Sequence, residues 1–217
     1  MLDRWNKRMY ALICKNQQLI LTAIEKDKGV PAYELLVSNI GRANDPQYQD
    51  KYKDFWMMKR AHLGSSFDRA YFSALNPNQP MPSLRNLCQV LYQFPRLRGD
   101  QALQFSFATK LRHMLNRQLP IYDDRVASFY LFQAPPALWC KSVLSANLRL
   151  RQRINGLIVF HNFLIHEYRV VSSGVLAGAI AAFRQRFNDP RQHTDVKIID
   201  WLIYEFVRLA NQGKIAW

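Results

Sequence analysis

No stretch of this 217-residue sequence alternates apolar and polar residues with a clean period of two, the pattern a half-buried strand requires. Apolar residues recur instead at spacings of three and four. Trp5, Met9, Leu12, Ile13, Leu19, Ile20 and Ile24 do so within residues 3–26, and Ile198, Ile199, Leu202, Ile203, Phe206 and Leu209 do so near the other end. Breakers are sparse, with 8 Gly and 10 Pro, so long helices follow rather than many short strands. The sequence predicts an all-α protein, and its 49% apolar content can build a sizeable core.

The breaks that do occur divide the chain into helical segments. Pro31 suits the first turn of a short helix, PAYELLVSNI, and GRANDPQYQD at 41–50 reads as a loop. Ser65, Ser66 or Asp68 can cap FDRAYFSAL, Ser83 can cap LRNLCQVLYQF, and Asp100 can cap the helix that contains Lys110. Pro135 and Pro136 open a further helix, residues 147–171 form a long apolar and basic stretch, Ser172 to Gly174 allow a break, and NDPRQHTD at 188–195 is a polar turn. NPNQPMP at 76–82 is the clearest interruption. Residues 1–217 therefore read as a single all-helical domain, with that break as the candidate boundary between two lobes.

Thirty Lys and Arg face 16 Asp and Glu, a formal net charge of +14. Such a field concentrates polyanions, which makes nucleic acid, double-stranded DNA first, the expected partner. Cys14, Cys88 and Cys140 are far apart and sit in apolar runs, as expected for reduced, buried thiols. The first residues hold no uninterrupted apolar stretch of the signal-peptide kind, and GVLAGAIAAF at 174–183 is about half the length of a membrane span. A soluble, cytoplasmic protein without a membrane partner is expected. No Walker loop, dinucleotide fingerprint or Gly-x-Ser-x-Gly elbow occurs, so no cofactor is called for.

The stretch with most chemistry is FSFATKLRHMLNRQLPIYDDRV at 105–126. Leu103, Phe107, Leu111, Met114 and Leu115 make one apolar stripe on a helix running from about Gln101 to Asn116. Lys110 precedes Leu111, about 100° round the helix, and so stands at the edge of that stripe, where it reaches into a cleft or snorkels to water. Pro120-Ile121-Tyr122 is extended, and Asp123 or Asp124 opens the next helix, DRVASFYLF. An aspartate there is first of all a helix cap. Beside a lysine it can also stabilise a developing cation or move a proton, while a neutral amine can attack a carbonyl-like carbon.

A helix bearing a lysine, an extended Pro-Ile-Tyr and an Asp at the next helix start resemble the core of the helix-hairpin-helix DNA glycosylase superfamily, 8-oxoguanine glycosylases included. The resemblance spans about residues 95–130. It implies a helical, two-lobed fold that flips a base out of DNA, with Asp123 (or its neighbour Asp124) as the catalytic aspartate and Arg125 at the helix start after it. It leaves Lys110 as a phosphate contact or a Schiff-base nucleophile, and puts the flipped base near Tyr122. The hairpin QFPRLRGD carries one glycine, Gly99, where the family is Gly-rich, and Lys110 lies closer to Asp123 than the family's lysine does.

Other constellations are weaker. Arg149 and Arg153 share a helix face and, with Lys141, can hold a phosphate backbone. Lys51, Lys53, Lys59 and Arg60 interleave with Tyr52, Phe55 and Trp56, which suits base stacking but suits a helical core better. His161 and His166 are about 140° apart on a helix, poor geometry for one metal, so no metal site is expected. His113 lies one turn after Lys110 and could line the same cleft. A DNA glycosylase-like enzyme is the leading expectation. The alternatives are a non-enzymatic nucleic-acid-binding protein on the same scaffold, in which Asp123 only caps a helix, and a helical protein-interaction module.

Overall fold

The computed structural model describes residues 2–132, 146–189 and 192–216. Among these the chain forms eleven α-helices and no strand, with one isolated bridge between Leu63 and Arg96. The helices are α1 (Leu2–Lys15), α2 (Gln17–Asp27), α3 (Gly29–Ser38), α4 (Pro46–Phe55), α5 (Ser65–Ala74), α6 (Leu84–Tyr92), α7 (Phe105–Leu115), α8 (Asp124–Phe129), α9 (Ala146–Ser173), α10 (Ala177–Arg186) and α11 (Asp195–Asn211). The all-α expectation is met. Among the described residues no helix is long and apolar enough to cross a membrane.

Several boundaries differ from the sequence reading, each for a local reason. Residues 3–26 are two helices, because the chain turns at Asn16, whose side-chain amide donates to the Leu12 carbonyl at 2.8 Å. GRANDPQYQD is not all loop: Asp45 accepts from the Gln47 N–H at 2.8 Å and Pro46 follows at the first helical position, which starts α4. Ser65, Ser66 and Asp68 do not cap α5, which begins behind Gly64; Asp68 instead pairs with Lys53 at 3.0 Å. Asp100 does not cap α7. It closes the Arg96–Asp100 turn, binding Arg98 at 2.7 Å, beside Gly99 at φ 89°, and α7 starts at Phe105. Ser83 does cap α6, accepting from the Asn86 N–H at 3.1 Å.

The architecture is built around α11. Twelve of its 17 residues are buried, so it is apolar nearly all round and must be enclosed. It packs on α8, α2 and α9, while α6 packs on α7 and α9. Burying side chains such as Leu202, Ile203 and Phe206 contributes about 1.5–3 kcal/mol each. Thr194 starts the helix by accepting from the Lys197 N–H at 3.2 Å and donating to the Arg117 carbonyl at 2.8 Å. Residues on both sides of the irregular 75–83 segment, Tyr71 and Phe72 before it and Leu84 and Leu87 after it, join one apolar cluster.

Candidate active site

The 116–123 segment links α7 to α8, and side chains from three helices satisfy its backbone. The Leu119 carbonyl lies 2.7 Å from His113 Nδ1, and the Pro120 carbonyl lies 2.9 Å from His161 Nε2. Asp200 Oδ2 accepts from the Ile121 N–H at 3.3 Å, and Thr109 Oγ1 accepts from the Tyr122 N–H at 3.1 Å. A buried strand-like segment with no partner strand needs such substitutes for a sheet ladder. The segment ends at Asp123, which caps α8 by accepting from the Val126 N–H at 2.9 Å.

Extended residues point alternately to opposite sides. Ile121 and Asp123 line a cavity of about 250 Å³, whereas Tyr122 between them faces the core against Phe105, Phe132 and Phe160. The cavity has aromatic walls in Phe55, Trp56 and Trp201. Lys110 from α7, Asp123, and Lys197, Asp200 and Glu205 from α11 are among the ionisable groups that line it. Exposed Asp27, Lys28 and Met57 line it too, so it opens to solvent on that side.

The two amines differ. Lys110 is partly buried, and its Nζ donates to the Trp56 carbonyl at 3.4 Å. The ring centroids of Phe107 and Trp56 lie 5.1 and 5.5 Å from the same Nζ. Burial lowers its pKa, while Asp123 and Asp124 pull the other way. Lys197 is 4% exposed and has the rings of Trp201, Tyr33 and Trp56 at 4.7, 4.9 and 5.2 Å from Nζ. Burial pushes Lys197 well below the usual ammonium range against the pull of Asp200. Burial likewise raises Asp200, which is 5% exposed and accepts from Tyr168 Oη at 3.0 Å. The buried Trp56 Nε1–H has no acceptor among the described residues.

The remaining sequence candidates are dispersed. Arg125 stacks on Tyr204, a cavity residue, at 3.9 Å and so lies behind the wall. Arg149 and Arg153 are partly exposed on α9 and do not line the cavity. Lys141 lies outside the described residues, as do Pro135, Pro136 and Cys140. Cys14 and Cys88 carry free thiols; Cys88 is buried, whereas Cys14 is only partly so. Tyr52 and Met58 are core, Lys53 and Lys59 are held by acidic partners, but Trp56 is both core and cavity wall. His113 is fully buried, with burial pushing its pKa down to about 3. A neutral ring that donates from Nδ1 to Leu119 must accept at Nε2, so the Tyr33 hydroxyl, at 2.8 Å, donates to it. His113 is therefore a structural strut. Among the described residues no cluster of three His, Cys, Asp or Glu could hold a metal.

Lys197, Asp200 and Trp201 escaped the sequence reading. Their signal was present: VKIIDWLIYEFV is apolar round the whole helix, so the charges inside it had to be buried too. Comparison with protein-family models, curated proteins and solved structures gives no significant match for this chain. Fold and geometry thus define an all-helical protein with an ionisable, aromatic-walled cavity, and any functional assignment rests on that cavity.

Proposed function

We propose that this chain is a base-excision enzyme, which cleaves the N-glycosidic bond of a nucleotide flipped out of DNA. The observation that carries the reading is the placement of Asp123 on one aromatic-walled cavity with Lys110. An aspartate held by a helix start and a well-hydrogen-bonded segment is preorganised to stabilise the sugar cation that forms as the base leaves. Phe55, Trp56 and Trp201 offer the flat apolar surfaces a nucleobase needs, and Lys110 offers a cation for its carbonyl edge or a nearby phosphate. The pairing of α6 and α7 across the Arg96–Asp100 turn supports the resemblance to a helix-hairpin-helix unit. The net charge of +14 supplies the long-range attraction to DNA.

The test is base release from duplexes that each carry one damaged or modified base. Wild type should release a base from at least one of them, and Asp123→Asn should bind that duplex equally while releasing nothing. Salt-sensitive binding with no release across the panel would leave a nucleic-acid-binding protein in which Asp123 is only a cap. A protein that ignores DNA would overturn both and favour a protein-interaction module.

A further inference from the structure

Base excision by Asp123 and Lys110 leaves the most enclosed amine without a task. Lys197 is the only buried lysine among the described residues. No hydrogen bond reaches its Nζ, and no carboxylate comes within the 4.0 Å of an ion pair, among those residues. We propose that Lys197 is a carbonyl-condensing amine, which forms an imine with an aldehyde bound in the aromatic-walled cavity.

Three features separate it from Lys110. An ammonium taken out of water without a hydrogen-bonding anion loses its hydration, and ring faces replace that hydration only in part, so the neutral amine gains ground. Lys110 lines the same cavity but is only partly buried and keeps a hydrogen bond to the Trp56 carbonyl, whereas Lys197 is buried without one; carboxylates favour the ammonium at both, and the Lys110 cation opposes it at Lys197. The rings of Tyr33, Trp56 and Trp201 also enclose the Lys197 amine and limit its access to water.

The step balances without a further reagent. The Lys197 nitrogen lone pair forms a bond to the aldehyde carbon, and the carbonyl electrons move to oxygen, which takes up a proton as nitrogen loses one. The carbinolamine C–O bond then breaks, water leaves with a second proton, and the nitrogen lone pair closes the protonated imine, leaving the proton donor as its anion. Asp200 lies one turn along α11 on the same cavity and, held toward its neutral form by burial, is placed to supply that proton. The aldehyde is either a small free one or the open-chain aldehyde of a sugar that has lost its base. Only the second source depends on the base-excision reading.

The experiment is reductive trapping of the full chain near pH 7.5. Propanal with cyanoborohydride is one arm, a duplex with a single abasic site and borohydride the other, and the alkylated lysine is mapped by peptide mass spectrometry. Lys197 should be labelled at least about tenfold faster than exposed lysines, the gain that one unit of lowered pKa provides. Lys197→Met should remove the fast adduct while Lys110→Met keeps it. An adduct with abasic DNA identifies the sugar aldehyde as a substrate, and one with propanal alone identifies free small aldehydes. Label on Lys110, label spread evenly over surface lysines, or no label at all would overturn the assignment. Wild-type mapping needs no variant to fold. Base release, which depends on Asp123, is scored separately, so either reading can fail alone.

Discussion

Thr109 is where the position of Asp123 can be tested without touching the cavity. It is fully buried on α7, and its hydroxyl accepts from the Tyr122 N–H at 3.1 Å while donating to the Ser106 carbonyl at 2.9 Å. Thr109→Val keeps the shape and removes the acceptor. The Tyr122 N–H is then buried without a partner, which costs about 1–3 kcal/mol. For a chain of this size each kcal/mol moves Tm by about 2–4 °C, so a central value of about 2 kcal/mol predicts a fall of about 4–8 °C. Thr109→Ser keeps the hydroxyl and loses one methyl group, about 1 kcal/mol. Urea denaturation and thermal melts of the two variants should rank Val below Ser. If Val equals or exceeds Ser, the hydroxyl is not what holds the 120–123 segment. Base release, where it is found, should fall with Val more than with Ser, because only Val frees the backbone next to Asp123.

Three further outcomes follow from the same geometry. Burial holds His113 down to about 3 and His161 to about 4, so as pH falls below about 6.5 the unfolded chain takes up two protons that the fold refuses. Stability should therefore drop by about 2.7 kcal/mol per pH unit near pH 5, and His161→Gln should halve that slope in urea titrations. Met57 sits at φ 59° on the cavity and is 47% exposed, so Met57→Gly relieves left-handed backbone at little packing cost and should raise stability by about 1 kcal/mol in a thermal melt. Asp123→Ala should cost about 1 kcal/mol by removing the α8 cap, whereas Asp123→Asn should stay within about 0.5 kcal/mol of wild type, which the same melts resolve.

The helices are legible in the sequence wherever a helical stripe begins or ends at a recognisable signal, as at Ser83, which starts α6, and at Ser172 to Gly174, where α9 ends. Errors fell where a polar residue had two possible partners. Asp100 bonds Arg98 instead of capping α7, and Asp45 caps a helix that was read as a loop. The site was half legible. Lys110 and Asp123 lie close in sequence and in space, because one connecting segment joins α7 to α8. Tyr122 faces the opposite side from Asp123, since adjacency along extended backbone separates side chains rather than uniting them. Lys197 and Asp200 lie on the last helix, and only tertiary packing brings α11 to the 120–123 segment. Periodicity shows which face of a helix is buried; it carries no information on which distant segment covers that face.

Charge gives the last discriminating outcome. Much of the acidic complement is spent within the fold: Asp45, Asp50, Asp54, Asp68, Asp100, Asp189, Asp195, Glu25 and Glu205 all bind basic side chains. Asp123 and Asp200 are occupied with backbone N–H groups. Thirty basic against 16 acidic side chains leave a formal +14 whatever the internal pairing. Affinity for duplex DNA should then fall linearly on a log–log salt plot, each phosphate contact adding about 0.9 to the slope. Arg149→Ala and Arg153→Ala should each lower the slope by about that amount if α9 touches the backbone, because neither residue lines the cavity. Asp123→Asn should leave the slope unchanged, because its carboxylate faces the cavity rather than the phosphates. An unaltered slope in both arginine variants would remove α9 from the DNA footprint and place the contacts on other basic residues. A slope near zero for wild type would remove DNA as the partner.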